Sequence, residues 1–203
     1  MYEQQSSGRA EQRGKRAPAG SVRGALIEAA HRVLRRDGAA GLTVRAVATE
    51  AGVAPMGVYN HFDGKAGLLS AVVTDGFVHL REAIASADED DPLDRLRTTG
   101  IRYRQLAIDS PNLYGLMFAS DVVPDVEIAY AALSALTDVV VFGQRAGAIR
   151  DIDSFELTIA IWSAVHGAVS LEIDAPAHDN VRDWGRIYEQ TLDMISRGVA
   201  ATG

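Results

Sequence analysis

The chain has 203 residues, 47% of them apolar, and no cysteine, which excludes disulfides and thiolate metal sites and provides ample material for a buried core. Its formal charge of −7 argues, as an average, against a polyanionic partner, yet residues 1–70 hold ten Lys/Arg against six Asp/Glu and residues 71–203 hold ten against 21. A basic front on an acidic body keeps phosphate binding open at the front, because binding follows the local field and not the total. Residues 1–20 are polar, carry Arg9, Arg13, Lys15 and Arg16, and show no apolar period. They read as a disordered basic arm, either a solubilising tail or a segment lying along DNA phosphates or in a minor groove. They contain no signal-peptide apolar stretch. No apolar run approaches a membrane span; the best candidate, residues 159–173, carries His166 and Glu172. A cytoplasmic protein with no membrane contact is expected.

From Ser21, a candidate cap, Val22, Leu26, Ala29, Ala30, Val33 and Leu34 recur on one helical face, and Gly38 supplies a stop. Thr43 caps a second helix with an apolar stripe of Val44, Val47, Ala48 and Ala51, closed by Gly52. Pro55 at a first helical position opens a third, short helix ending near residue 62, anchored by Val58 and Phe62. Gly64 breaks the chain again. The remainder reads as helices near 65–88, 92–109, 111–119, 124–148, 154–173 and 180–198, with no strand signal, so the fold class is all-α. Two helices joined by a tight turn at Gly52 form a helix-turn-helix. Its second helix needs a narrow profile more than intrinsic stability. Gly57, which costs about 1 kcal/mol relative to alanine, thins that helix, leaving Pro55, Met56, Gly57, Tyr59, Asn60 and His61 outward or sideways.

The stretch GLTVRAVATEAGVAPMGVYNHFDGKAGLL resembles the DNA-binding domain of the TetR family of one-component transcriptional regulators, through Gly41-Leu42-Thr43, Ala48, Ala51-Gly52-Val53, Val58-Tyr59, His61-Phe62, Lys65 and Leu68-Leu69. SPNLYGLMFAS and IWSAVHGAVSLEI resemble the C-terminal domain class of that family known for its Trp…His-Gly signature. The resemblance implies a three-helix DNA-binding domain over 21–70 and an effector-binding and dimerisation domain over 71–203. It places Thr43, Tyr59, His61 and Lys65 at phosphate-contacting positions, Arg45 where some members read a base, and Met56, Gly57 and Asn60 at positions that often face bases. Pro55 completes the predicted DNA-binding set. Two hydroxyls common in the family are absent: Ala54 stands where a serine cap is frequent and Gly57 where a threonine is. Base reading is thereby shifted towards Arg45 and Asn60.

In the acidic body, the helix near 154–173 is apolar on two faces, one stripe containing Phe155, Ile159, Trp162, His166, Val169 and Ile173 and the other Leu157, Ile161, Ala164, Ala168 and Leu171. Such a helix must bury both faces. One meets its own core; the other calls for a further partner, unless the helix is internal to a monomer. The last helix carries Val181, Trp184, Ile187, Tyr188, Thr191, Leu192 and Ile195 in a similar register. Two such helices per chain can form a four-helix bundle across a two-fold axis, the arrangement the resemblance implies. The predicted interface is Leu157, Ile161, Ala164, Ala168, Leu171, Trp184, Tyr188, Thr191 and Ile195. Tyr103, Leu106, Tyr114, Met117, Phe118, Phe142, Trp162 and His166 are either core or the lining of an apolar pocket; in the family such a pocket binds a small effector that releases the protein from DNA.

Enzymatic readings are weak. The five histidines give no zinc-protease pair, GQRAGAIR lacks a P-loop lysine, and the acidic run at 88–91 reads as a solvated helix end before Pro92. No catalytic residue, metal or cofactor is assigned. The leading expectation is a homodimeric repressor of a palindromic double-stranded DNA operator, released by a small-molecule effector. The rivals are a regulator without an effector and an enzyme using the C-terminal pocket.

Overall fold

A computed structural model describes residues 19–119, 121–175 and 182–201. The predicted arm, apart from Ala19 and Gly20, lies outside them, as does Val181. The described residues form nine helices: α1 (Ala19–Gly41), α2 (Val44–Glu50), α3 (Pro55–Tyr59), α4 (Gly64–Ala85), α5 (Pro92–Asp109), α6 (Pro111–Met117), α7 (Val126–Arg145), α8 (Ser154–Ile173) and α9 (Trp184–Val199). Among those residues the only β-pairing is one antiparallel bridge between Ile149 and Ala200, which ties the turn after α7 to the end of α9.

The stripe foreseen on α1 is the core of the N-terminal unit: Leu26, Ala29, Ala30, Val33 and Leu34 are buried. The helix begins two residues before Ser21, so that serine is not its cap. It breaks at Gly38 (φ 68°, ψ −176°), a backbone state that glycine adopts without a Cβ penalty, and a last turn runs on to Gly41. Thr43 Oγ1 accepts from the Ala46 N–H at 3.1 Å and caps α2. The end of α2 is a Schellman turn. Gly52 sits at φ 68°, its N–H donates to the Thr49 carbonyl at 3.1 Å, and the Val53 N–H donates to Ala48 at 2.9 Å. Helix α3 has Pro55 at its start and, as Ala54 foretells, no side-chain cap. It stops at Tyr59, not near 62; residues 60–62 form a turn in which the Phe62 N–H still reaches the Val58 carbonyl at 2.9 Å.

Helix α4 passes without interruption through the expected boundary at residues 70 and 71. It packs on α1, α2 and α3 and also on α5, α6 and α7. Asp91 ends the acidic run as the cap of α5, its Oδ1 accepting from the N–H groups of Leu93 and Asp94 at 2.9 Å each. Contrary to the sequence expectation, two helices, α7 and α8, are long and apolar enough to cross a membrane. Here both pack into the helical body, α7 on α4, α5 and α8, and α8 on α5, α7 and α9.

Helix α8 buries Leu157, Thr158, Ile161, Val165 and Val169, a face lying between the two predicted stripes. Its apolar residues encircle the helix, so periodicity marks burial without choosing a side. Ala160, Ser163, Ala164 and Leu171 are left exposed, with Gly167 and Ala168 half-buried.

Candidate nucleic-acid interface and ligand cavity

The predicted DNA-binding residues fall on three consecutive elements. Thr43 and Arg45 are exposed at the start of α2. Pro55, Met56, Tyr59 and Asn60 are exposed on α3 and its end, with Gly57 and His61 half-buried, and Lys65 is exposed in the first turn of α4. Val58, fully buried, and Phe62, nearly so, pin α3 from behind, which turns Met56 (66% exposed) and Tyr59 (56%) outward. A Cβ on Gly57 would meet only the Val53 side chain, at an ordinary 3.4 Å, so packing does not demand glycine there. Arg23 lies over the Phe62 ring, 5.1 Å from its centroid. Arg32 and Arg36 clamp Glu50, at 2.8 and 3.0 Å, and join α1 to α2; their hydrogen bonds hold the Glu50 carboxyl below the usual carboxylate range.

In the body, α4, α5, α7, α8 and α9, with Phe118, enclose a cavity of about 370 Å³, within the range typical of small-molecule sites. Of the eight predicted effector residues, Tyr103, Phe118 and Trp162 line it. Tyr114 and His166 stand behind that wall. Tyr114 Oη and Tyr103 Oη lie 2.7 and 2.9 Å from His166 Nδ1, and 3.0 Å from each other. Burial pushes the His166 pKa down and both tyrosine pKa values up, so the three groups are neutral near pH 7. Phe118 packs edge-on against Phe77, Tyr114 and His166, with centroids 5.8, 5.0 and 4.5 Å away. The other three predicted residues are also outside the wall. Met117 packs against Gly76, Leu106 supports the core, and the Phe142 ring is covered by the Arg95 guanidinium at 4.0 Å. The lining residues the sequence did not single out are mostly aliphatics with ordinary core spacing, among them Leu80, Ile84, Ala132 and Leu136, but they also include the aromatics Phe77 and Tyr130 and the polar Arg97, Thr99 and Ser196.

Three of the nine predicted interface residues are corrected. Leu157, Ile161 and Tyr188 are 3, 5 and 3% exposed, so they hold α8 and α9 to their own chain and offer no surface to a second. Tyr188 donates its hydroxyl hydrogen to the Gly100 carbonyl at 2.7 Å. Ile195 is half-buried and lines the cavity. Ala164 and Leu171 are exposed, and Ala168, Trp184 and Thr191 half-buried.

A short, proline-started helix held proud of a capped partner, set against an all-helical body with a central cavity, defines a helix-turn-helix DNA-binding regulator. Residues 26–72 match the family of bacterial regulatory proteins designated tetR, and residues 96–195 match the tetracyclin repressor-like C-terminal domain. The chain belongs to the TetR family. It is similar to the HTH-type transcriptional regulator Mb1846 of Mycobacterium bovis, 26% identical over 207 residues covering 84% of this chain and 88% of that one. A protein of unknown function from Rhodococcus sp. RHA1 shares its fold at a TM-score of 0.77 and 26% identity, covering 94% of this chain and 100% of the other. The regulator FadR from Bacillus subtilis, in a structure with stearoyl-CoA, shares the fold at a TM-score of 0.68 and 18% identity, covering 86% of this chain and 98% of its own.

Proposed function

We propose that this regulator is a cytoplasmic homodimeric repressor that binds a palindromic operator and is released by a small-molecule effector in the body. Residues 21–70 carry DNA binding, with Thr43, Tyr59, His61 and Lys65 on phosphates, Arg45, Met56, Gly57 and Asn60 on or near bases, and Pro55 shaping α3. Residues 71–203 carry effector binding and dimerisation and have no catalytic role. The observation that carries this reading is the central cavity, because the same body that would space two α3 helices also encloses room for a ligand. Neither a constitutive binder nor a scaffold needs that space.

The proposed dimer seam is the face of α8 with the exposed Ala160, Ala164 and Leu171 and the half-buried Gly167, beside Trp184 and Thr191 of α9. Ala168 and Ile195 lie at its edge. Small side chains allow close helix approach, and operator binding requires a two-fold axis through this face to hold two α3 helices one helical turn of DNA apart, about 34–36 Å or a multiple. The experiment is selection of bound DNA from a random pool, paired with ultracentrifugation. Wild type recovers a palindrome and sediments as a dimer. Ala164→Arg, which places an unpaired cation in the seam, sediments as a folded monomer and loses operator affinity. Recovery of an asymmetric site by a monomeric wild type refutes the dimer.

A further inference from the structure

The charge of the effector can be read from the cavity wall. Among the described residues Arg97 is the single charged one lining it, and that guanidinium is already taken: it donates to Asp193 at 2.6 Å and to Glu189, both on α9. These bonds raise the Arg97 pKa further, and the trio carries one net negative charge. An anionic ligand therefore meets a cation with two carboxylates on it, inside a body with an excess of acids. A cationic ligand fares no better, because among the described residues no Asp or Glu lines the wall, and the carboxylates of Glu189 and Asp193 outside it are already engaged by Arg97. The aromatic faces of Phe77, Phe118 and Trp162 attract a cation, but by less than the cost of stripping its water without a counter-charge.

The neutral polar groups are largely engaged as well. Thr99 Oγ1 donates to the Arg95 carbonyl at 2.9 Å, and Tyr103 Oη is held by Tyr114 and His166. Among the described residues, Ser196 and Tyr130 supply the lining hydroxyls without such a partner. Val126 and Tyr130 are 70 and 58% exposed while lining the cavity, so it reaches the surface at the start of α7 through an apolar lip.

We propose that the effector is an uncharged, predominantly apolar molecule with at most a hydroxyl or carbonyl as its polar group, and that carboxylates and amines of the same skeleton are rejected. This rests on the reading that the cavity takes an effector. The test uses the full-length chain at pH 7 and three probes with one hydrocarbon chain: decanol, decanoate and decylammonium. Calorimetry gives each Kd, and the emission of Trp162, which lines the cavity, reports occupancy, with Trp162→Phe as the blank. Decanol should bind about a hundredfold more tightly than either ion and shift the Trp162 emission. Ala129→Trp, which fills the cavity from α7, should abolish that binding at unchanged helicity. Decanoate or decylammonium binding within tenfold of decanol overturns the charge argument and leaves the cavity reading standing. Binding by none of the three overturns both.

Discussion

Gly52→Ala isolates the turn that orients α3. Gly52 sits at φ 68°, and a Cβ built on it meets nothing within 4 Å, so the substitution adds no clash. Its cost is conformational: an L-residue in the left-handed region is less stable by about 1–2 kcal/mol. For a chain of this size 1 kcal/mol corresponds to about 2–4 °C in Tm, so the expected drop is about 2–8 °C. If the chain escapes the strain by leaving that region, the two Schellman bonds to Thr49 and Ala48 are lost and α3 swings relative to α2, so operator affinity falls beyond what the melting shift explains. Asparagine tolerates the left-handed region better, so Gly52→Asn should keep more of both stability and affinity. Circular dichroism melts and fluorescence anisotropy on operator DNA read the two effects. An alanine variant with wild-type Tm, or an asparagine variant as damaged as alanine, refutes the backbone argument.

Lys65→Ala should weaken binding to all DNA sequences alike and lower the slope of log K against log salt by about one unit, read by titrations at several salt concentrations. Arg45→Ala or Asn60→Ala should instead relax preference at particular base pairs, at about 1–3 kcal/mol each, visible in the sites each variant selects. Glu172→Gln removes the carboxylate that Arg104 grips at 2.7 and 2.5 Å between α5 and α8, and should lower stability in urea by about 1–3 kcal/mol. The hydrogen bond from His31 at 2.7 Å, linking α1 to α4, depresses the Asp75 pKa below its ordinary 3.8 despite burial, and His79 adds to the effect. Asp75 therefore contributes stability that is complete above that value and lost as pH falls through the depressed pKa. Acid unfolding of Asp75→Asn should lack this component.

The order and kind of the helices were legible because each carries its own punctuation. Thr43, Gly52, Pro55 and Pro92 act through local backbone chemistry that needs no tertiary context. Ends that depend on context were misplaced: nothing local announces that α3 closes at Tyr59 while Phe62 continues in a turn. Side choice on α8 was illegible for another reason. Residues 157, 161, 164 and 168 share one helical repeat, yet the neighbours α5, α7 and α9 cover the first two and leave the third open. Three of the aromatics lining the cavity, Tyr103, Phe118 and Trp162, stood out by residue type, whereas Phe77 and Tyr130 did not. Nor did the aliphatic lining, since Leu80 or Ala132 looks the same beside a void as beside a neighbour.

The clamp of Arg32 and Arg36 on Glu50 has a consequence for the search along a chromosome. Residues 19–70 hold six cations, and this clamp, with Asp37 also on Arg36, occupies two of them before DNA arrives. Attraction to random DNA grows with the number of phosphates neutralised, so these occupied cations weaken it most where no base contacts compensate. Within residues 19–70, then, the non-specific attraction to phosphates is weaker than a count of six cations implies, and base contacts carry a correspondingly larger share of the affinity for a cognate site.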